Sequence, residues 1–118
     1  MIVIVLGASP NPRRYSNKAT ELLSNNGHEV IPVGVKCGEI NCIEIIQNYP
    51  ERVQADTITI YLSIENQEKY YDLILNNLPR RIIFNPGTYN PDFQQKLISK
   101  GVNVVNDCTL VMVNRGDF

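Results

Sequence analysis

The chain has almost no excess of either charge sign: 11 Lys and Arg stand against 12 Asp and Glu, a formal net charge of −1 at pH 7. Non-specific binding to a nucleic acid backbone is driven by many neutralised phosphates, so a dedicated DNA or RNA binder is disfavoured. Long apolar runs are missing too. The run from Met1 stops at Gly7 with no basic stretch before it, too short for a signal peptide or a membrane span, and a cytoplasmic protein with no membrane partner is expected. Cysteine is scarce: Cys37, Cys42 and Cys108 are odd in number and lack the paired spacing of zinc or disulfide frameworks, which points to reduced thiols. Histidine occurs once, at His28, so catalysis by a histidine pair is excluded.

What is present suffices for a folded core. With 118 residues, 43% hydrophobic and 19% charged, the chain reads as one domain, 1–118, that is not globally disordered. The near-zero total conceals an uneven distribution. Residues 1–36 carry four basic and two acidic side chains, residues 37–72 two and seven, and residues 73–118 five and three. A small anion is therefore steered toward the first block.

Short β-branched runs predict strands at Ile2–Leu6, Glu29–Val33, Thr57–Leu62, Arg81–Phe84 and Val102–Val105. Helical spacing predicts helices between them. The first runs over Asn17–Asn26, capped by Ser16, with Ala19, Leu22 and Leu23 inward and Gly27 closing it. The second runs over Glu65–Asn77 with Tyr70, Leu73, Ile74 and Leu78 near 3.6 spacing. The third runs over Pro91–Lys100 with Phe93, Leu97 and Ile98 inward. Residues 34–56 read as largely irregular, although Ile43-Glu44-Ile45-Ile46 suits a short strand or one helical turn, and Leu110–Val113 reads as a short strand or an edge. Strand–helix alternation of this kind implies a single doubly wound α/β domain, with a mainly parallel five- or six-stranded sheet and helices on both faces. Ligands of such folds bind at the carboxyl ends of the strands.

Two loops at that end carry the candidate chemistry. After the first strand, Gly7-Ala8-Ser9 leads through a proline-rich loop to a helix whose free N–H groups and dipole suit a phosphate. The stretch holding Ser9, Asn11, Arg13, Arg14, Ser16, Asn17 and Lys18 is dense in phosphate donors, although it is neither a Gly-x-Gly-x-x-Gly turn nor a Walker loop. After the second strand, Pro32-Val33-Gly34-Val35-Lys36 offers a lysine where NAD-binding proteins place a ribose-gripping acid.

The runs Gly7-Ala8-Ser9-Pro10-Asn11-Pro12 with Ser16-Asn17-Lys18, Gly27-His28-Glu29-Val30-Ile31-Pro32-Val33 and Val104-Val105-Asn106-Asp107-Cys108 resemble the stand-alone coenzyme A-binding domain proteins. These are small bacterial Rossmann-type proteins similar to the N-terminal domain of the succinyl-CoA synthetase alpha subunit. The resemblance implies a CoA or acyl-CoA ligand, with phosphates at the first loop and at Lys36. It also implies that Tyr61 and Leu62 flank the adenine or the pantetheine entry, and that Asn85 and Gly87 line the far wall. The chain departs from its relatives at Gly34-Val35, where many have Asn-Pro, and at Asn85-Pro86-Gly87, where many have a Gln-x-Gly pattern.

The synthetase uses a phosphorylated histidine in a second domain, and His28 lies before the second strand, at the opposite end of the sheet from the cleft. The expected activity is therefore binding of a small nucleotide ligand without catalysis. Two alternatives stay open. One is an NADP-type enzyme that draws its proton donor from Tyr61, Asp107 or Cys108. The other is a regulatory or interaction domain with a vestigial nucleotide site, acting as a homodimer or beside a partner subunit.

Overall fold

A computed structural model describes all 118 residues. In chain order it runs β1 (Ile2–Leu6), α1 (Tyr15–Asn25), β2 (Glu29–Val33), β3 (Glu39–Ile40), β4 (Ile43–Glu44) and β5 (Thr57–Ile60). There follow α2 (Ile64–Gln67), a 3-10 turn (Glu68–Tyr70), α3 (Tyr71–Asn76), β6 (Arg81–Phe84), α4 (Pro91–Ser99), β7 (Asn103–Asn106) and α5 (Thr109–Arg115). Five strands form one parallel sheet in the order β2-β1-β5-β6-β7, and β3 pairs antiparallel with β4 outside it. Strand order reverses between β1 and β5, which opens a crevice at their carboxyl ends.

Period-two alternation sorts the side chains of β1 onto two buried faces. Val3 and Val5 join Val30 and pack with Leu23 of α1 and Val113 of α5. Ile4 and Leu6 join Ile58, Ile60, Ile82 and Phe84 and pack with Ile74 of α3 and with Phe93 and Leu97 of α4. A fully buried side chain of this size contributes about 2 kcal/mol. Register is thus strongly specified, because a slip of one residue would exchange the two faces.

Several elements differ from the sequence-based expectation. Leu110–Val113 lies within α5, where Thr109 and Met112 are buried three residues apart and Gly116 closes the helix at φ 85°. Its β-branched valines gave the strand reading, and tertiary packing overrode it. The expected Glu65–Asn77 helix is broken into α2 and α3 by the 3-10 turn, whose tighter winding lets Gln67 and Tyr70 both face inward. Residue Ser16 does not cap α1: the helix begins at Tyr15 with Arg14 in the capping position, and Ser16 is buried in the first turn. An Asx turn one step earlier, with Arg13 N–H donating to Asn11 Oδ1 at 3.0 Å, brings the chain round sooner. Ile98 is exposed, a helical step beyond Leu97 having carried it to the outer face of α4. The 34–56 segment contains the β3–β4 hairpin, and its exit pairs with the end of β2 through Val33 and Ile46. No helix is long and apolar enough to cross a membrane.

Candidate functional site

Four loops leave the carboxyl ends of β1, β2, β5 and β6 and enclose a cleft of 440 Å3. Its lining takes in Gly7, Ser9, Arg14, Tyr15 and Ser16 from the first loop and α1, and Val35 and Lys36 from the second. The third and fourth loops supply Leu62, Ser63, Gly87 and Thr88, with Tyr61 and Pro86 between them. Arg14 and Lys36 are the only charged side chains in the lining, and neither makes an ion pair within the chain. The cleft is therefore electropositive without an internal counter-charge.

Close backbone crossings explain two glycines. A Cβ on Gly34 would stand 2.1 Å from Ala8 O, so only glycine lets the first and second loops cross there. Gly7 has φ 99°, and its Cβ would press on Tyr61 and Leu62 at 3.0 Å. The same crossing decides which donors are free. The N–H groups of Gly7 and Ala8 both donate to Val33 O, at 2.9 and 2.8 Å. By contrast, the N–H groups of Ser9, Tyr15 and Ser16 find no acceptor within the chain. Those of Tyr15 and Ser16 belong to the positive end of the α1 dipole.

The structure thus brings Gly7, Ser9, Arg14, Ser16, Lys36, Tyr61, Leu62 and Gly87 around one cavity. It places the other sequence candidates elsewhere. Ala8, Pro32, Val33 and Gly34 are buried beneath the crossing loops. Asn17 is buried and shapes the first loop, donating from Nδ2 to Ser9 O at 2.9 Å. Asn11 and Arg13 are exposed on the loop, outside the cleft. Lys18 faces a shallow groove between α1 and α5 with Glu21 and Asn114. Asn85 is 2% exposed and works from behind the wall. Its Nδ2 donates to Thr59 Oγ1 at 2.7 Å and Ile60 O at 2.9 Å, and its Oδ1 accepts from Thr109 N–H at 2.8 Å.

Sequence reasoning passed over Tyr15, which lies at the cleft and is 69% exposed. It also missed three buried amides. Gln67 Nε2 donates to Leu62 O and Thr88 O, and Gln67 Oε1 accepts from Asn90 Nδ2 at 3.0 Å. Gln94 Oε1 in turn accepts from Asn90 N–H at 3.1 Å. A glutamine within a helical pattern, followed by Asn-Pro at the next helix start, was the signal available. On the second loop, Gln47 Nε2 donates to Ile45 O at 3.0 Å and Lys36 O at 3.4 Å, which holds the backbone that presents the lysine.

Burial pushes the Tyr61 hydroxyl up to about 12, and its Oη has no hydrogen-bond partner. The Arg115 guanidinium hydrogen-bonds Asp107 at 2.8 Å and holds that carboxyl below its ordinary value, so it stays ionised at neutral pH. His28 lies at the amino ends of the strands, edge-on to Phe118 at 5.3 Å and 3.5 Å from the Met1 amine, and burial lowers its pKa. No group of three or more His, Cys, Asp or Glu side chains is placed to hold a metal ion.

Comparison with solved structures places this geometry among relatives. An uncharacterized protein of known crystal structure is 42% identical, with coverage of 99% of this chain and 97% of its own, at a TM-score of 0.95. The cell-free ID.343 protein from Thermus thermophilus shares the fold at 21% identity, with 99% and 90% covered and a TM-score of 0.84. A hypothetical protein from Pyrococcus horikoshii OT3 does so at 24%, with 97% and 81% covered and a TM-score of 0.82. No curated protein matches the chain. A family model described as the CoA binding domain matches residues 2–114, nearly the whole sheet and its helices, and the chain belongs to that family.

Proposed function

We propose that the protein binds coenzyme A or an acyl-CoA in this cleft, without making or breaking bonds. The observation that carries the reading is the convergence of Arg14, Lys36 and the free N–H groups of Ser9, Tyr15 and Ser16 at the crevice between β1 and β5. These donors suit a diphosphate: the helix end supplies N–H groups along its dipole, and the two cations add charge-assisted hydrogen bonds. Lys36 follows β2, where a ribose phosphate would lie. No acidic side chain lines the cleft, so the carboxylate that grips an unphosphorylated ribose is missing. Tyr61 stays protonated and Asp107 ionised, which favours holding over catalysis.

Lys36 and the absent acid would also suit NADP, and the test separates the two. Mass spectrometry of denatured protein first excludes retained ligand. Calorimetric titration then compares CoA, dephospho-CoA, ATP and NADP. The expected result is that CoA binds most tightly, and dephospho-CoA about tenfold more weakly, one charge-assisted contact being worth about 1.4 kcal/mol. Failure of CoA to bind ligand-free protein at millimolar concentration overturns the reading, and preferential binding of NADP replaces it.

A further inference from the structure

Beside the cleft lies a second cavity, of 310 Å3, bounded by Tyr15, Tyr61, Asn85, Pro86 and Cys108. Three of these, Tyr15, Tyr61 and Pro86, also line the cleft, so the two spaces lie side by side with a wall in common. Their chemistry differs sharply. The cleft carries two cations, whereas the side cavity has no charged side chain. Its one amide, Asn85, spends Nδ2 on Thr59 and Ile60 and Oδ1 on Thr109, which leaves it no N–H to offer. The Tyr61 hydroxyl is buried as well, so that residue presents its ring. What remains is two aromatic rings, the hydroxyl of the exposed Tyr15, a proline ring and a thiol, a mainly apolar surface beside a phosphate-binding one.

We propose that this side cavity seats the acyl group of a short-chain, uncharged acyl-CoA, and that such a thioester rather than free CoA is the preferred ligand. The inference rests on the reading of the cleft as the nucleotide site. A volume of 310 Å3 corresponds to about ten water-sized groups, enough for a thioester and a few methylenes and too small for a long fatty chain. Each methylene moved from water to such a lining is worth about fourfold in affinity. A dicarboxylic acyl group gains nothing there, since its free carboxylate would be buried with no cation or free N–H to meet it.

Calorimetry with CoA, acetyl-CoA, butyryl-CoA and succinyl-CoA tests the inference. Butyryl-CoA, two methylenes longer, is expected to bind about fifteenfold more tightly than acetyl-CoA, and succinyl-CoA no more tightly than CoA. In Tyr15→Ala, which removes an exposed wall residue, the butyryl-to-acetyl ratio falls below about threefold. Thiol labelling supplies an independent readout on the unaltered protein. Butyryl-CoA should slow maleimide modification of Cys108 several-fold, ADP should not, and the exposed Cys42, on the hairpin turn away from the cleft lining, serves as internal control. If CoA binds but butyryl-CoA is no tighter than acetyl-CoA and leaves Cys108 unprotected, the acyl assignment alone is overturned. If none of the four binds, the nucleotide reading falls and the assignment with it.

Discussion

The amide of Gln67, 1% exposed, donates from Nε2 to Thr88 O at 2.8 Å, and the same nitrogen donates to Leu62 O at 2.9 Å. One side chain thus ties together the loops after β5 and β6, which form one side of the cleft. In Gln67→Ala those carbonyl groups lose their donor inside the protein, a cost of about 1–3 kcal/mol for each buried group left unpaired. Urea unfolding is expected to show a loss of about 3 kcal/mol, with CoA affinity falling alongside it as the wall loosens. A loss below about 1 kcal/mol would mean that the loops are held by other contacts.

Arg14 and Lys36 are exposed and free of ion pairs, so their effects should separate from folding. Lys36→Ala is expected to weaken CoA about tenfold and to erase most of its advantage over dephospho-CoA, while the urea midpoint stays unchanged. Arg14→Ala should weaken both ligands about equally. Calorimetry at two salt concentrations checks the electrostatic origin, because the weakened variants should also lose part of their salt dependence.

Asp56 accepts from Arg80 Nε at 2.9 Å and from its guanidinium nitrogen at 3.1 Å, and this pairing brings the carboxyl down to about 2. A depressed carboxylate contributes stability that is complete above its unfolded value, near 4, and lost as pH falls toward the folded value. Urea stability should therefore decline between about pH 4 and about pH 2, and Asp56→Asn should flatten that part of the profile. With the Arg80 side chain 58% exposed, solvent screening reduces the difference to about 1 kcal/mol. Parallel profiles for the two proteins would rule the pair out as a source of acid sensitivity.

The β3–β4 hairpin turns through Asn41 and Cys42, with φ of 53° and 65°. Positive φ at both central residues defines a type I′ turn, for which Asn-Gly is the favoured pair. Cysteine in the left-handed region is strained by about 1 kcal/mol. Cys42→Gly should consequently stabilise the protein by about 0.5 kcal/mol after the added flexibility of the unfolded chain, seen as a rise of about 2 °C in the thermal midpoint. A fall would show that Cys42 makes a contact worth more than its strain.

Legibility followed the range of the information. The strands at Ile2–Leu6 and Arg81–Phe84 declared themselves by β-branched runs, and α4 by its proline at the start and the burial of Phe93 and Leu97. Helix α5 did not, because seven residues rich in valine carry too few turns to separate the two periods. Of the hairpin, only the run at Ile43–Ile46 suggested a short strand, and the pairing was hidden because its turn uses Asn-Cys rather than a glycine pair. In the site, Arg14 and Lys36 were legible as cations after the first and second strands. Lys18, two residues on from Ser16, lies outside the cleft lining, because the helical rotation carries it to the groove against α5, with its ammonium 5.9 Å from the centre of the Tyr15 ring.

The sequence by itself determined the five strands of the main sheet, the helices between them, the two-faced burial of those strands and the end of the sheet where a ligand is expected. All of these follow from local periodicity and chain direction. Tertiary structure alone decided which donors are free and which cavities share a wall. Gly7 and Ala8 give their N–H groups to Val33, twenty-five and more residues away, only because the loops cross at Gly34. Tyr15 and Cys108 share a cavity only because α1 and α5 pack on the same face of the sheet. Such proximities depend on strand order and close packing, which bring distant residues within reach of one ligand.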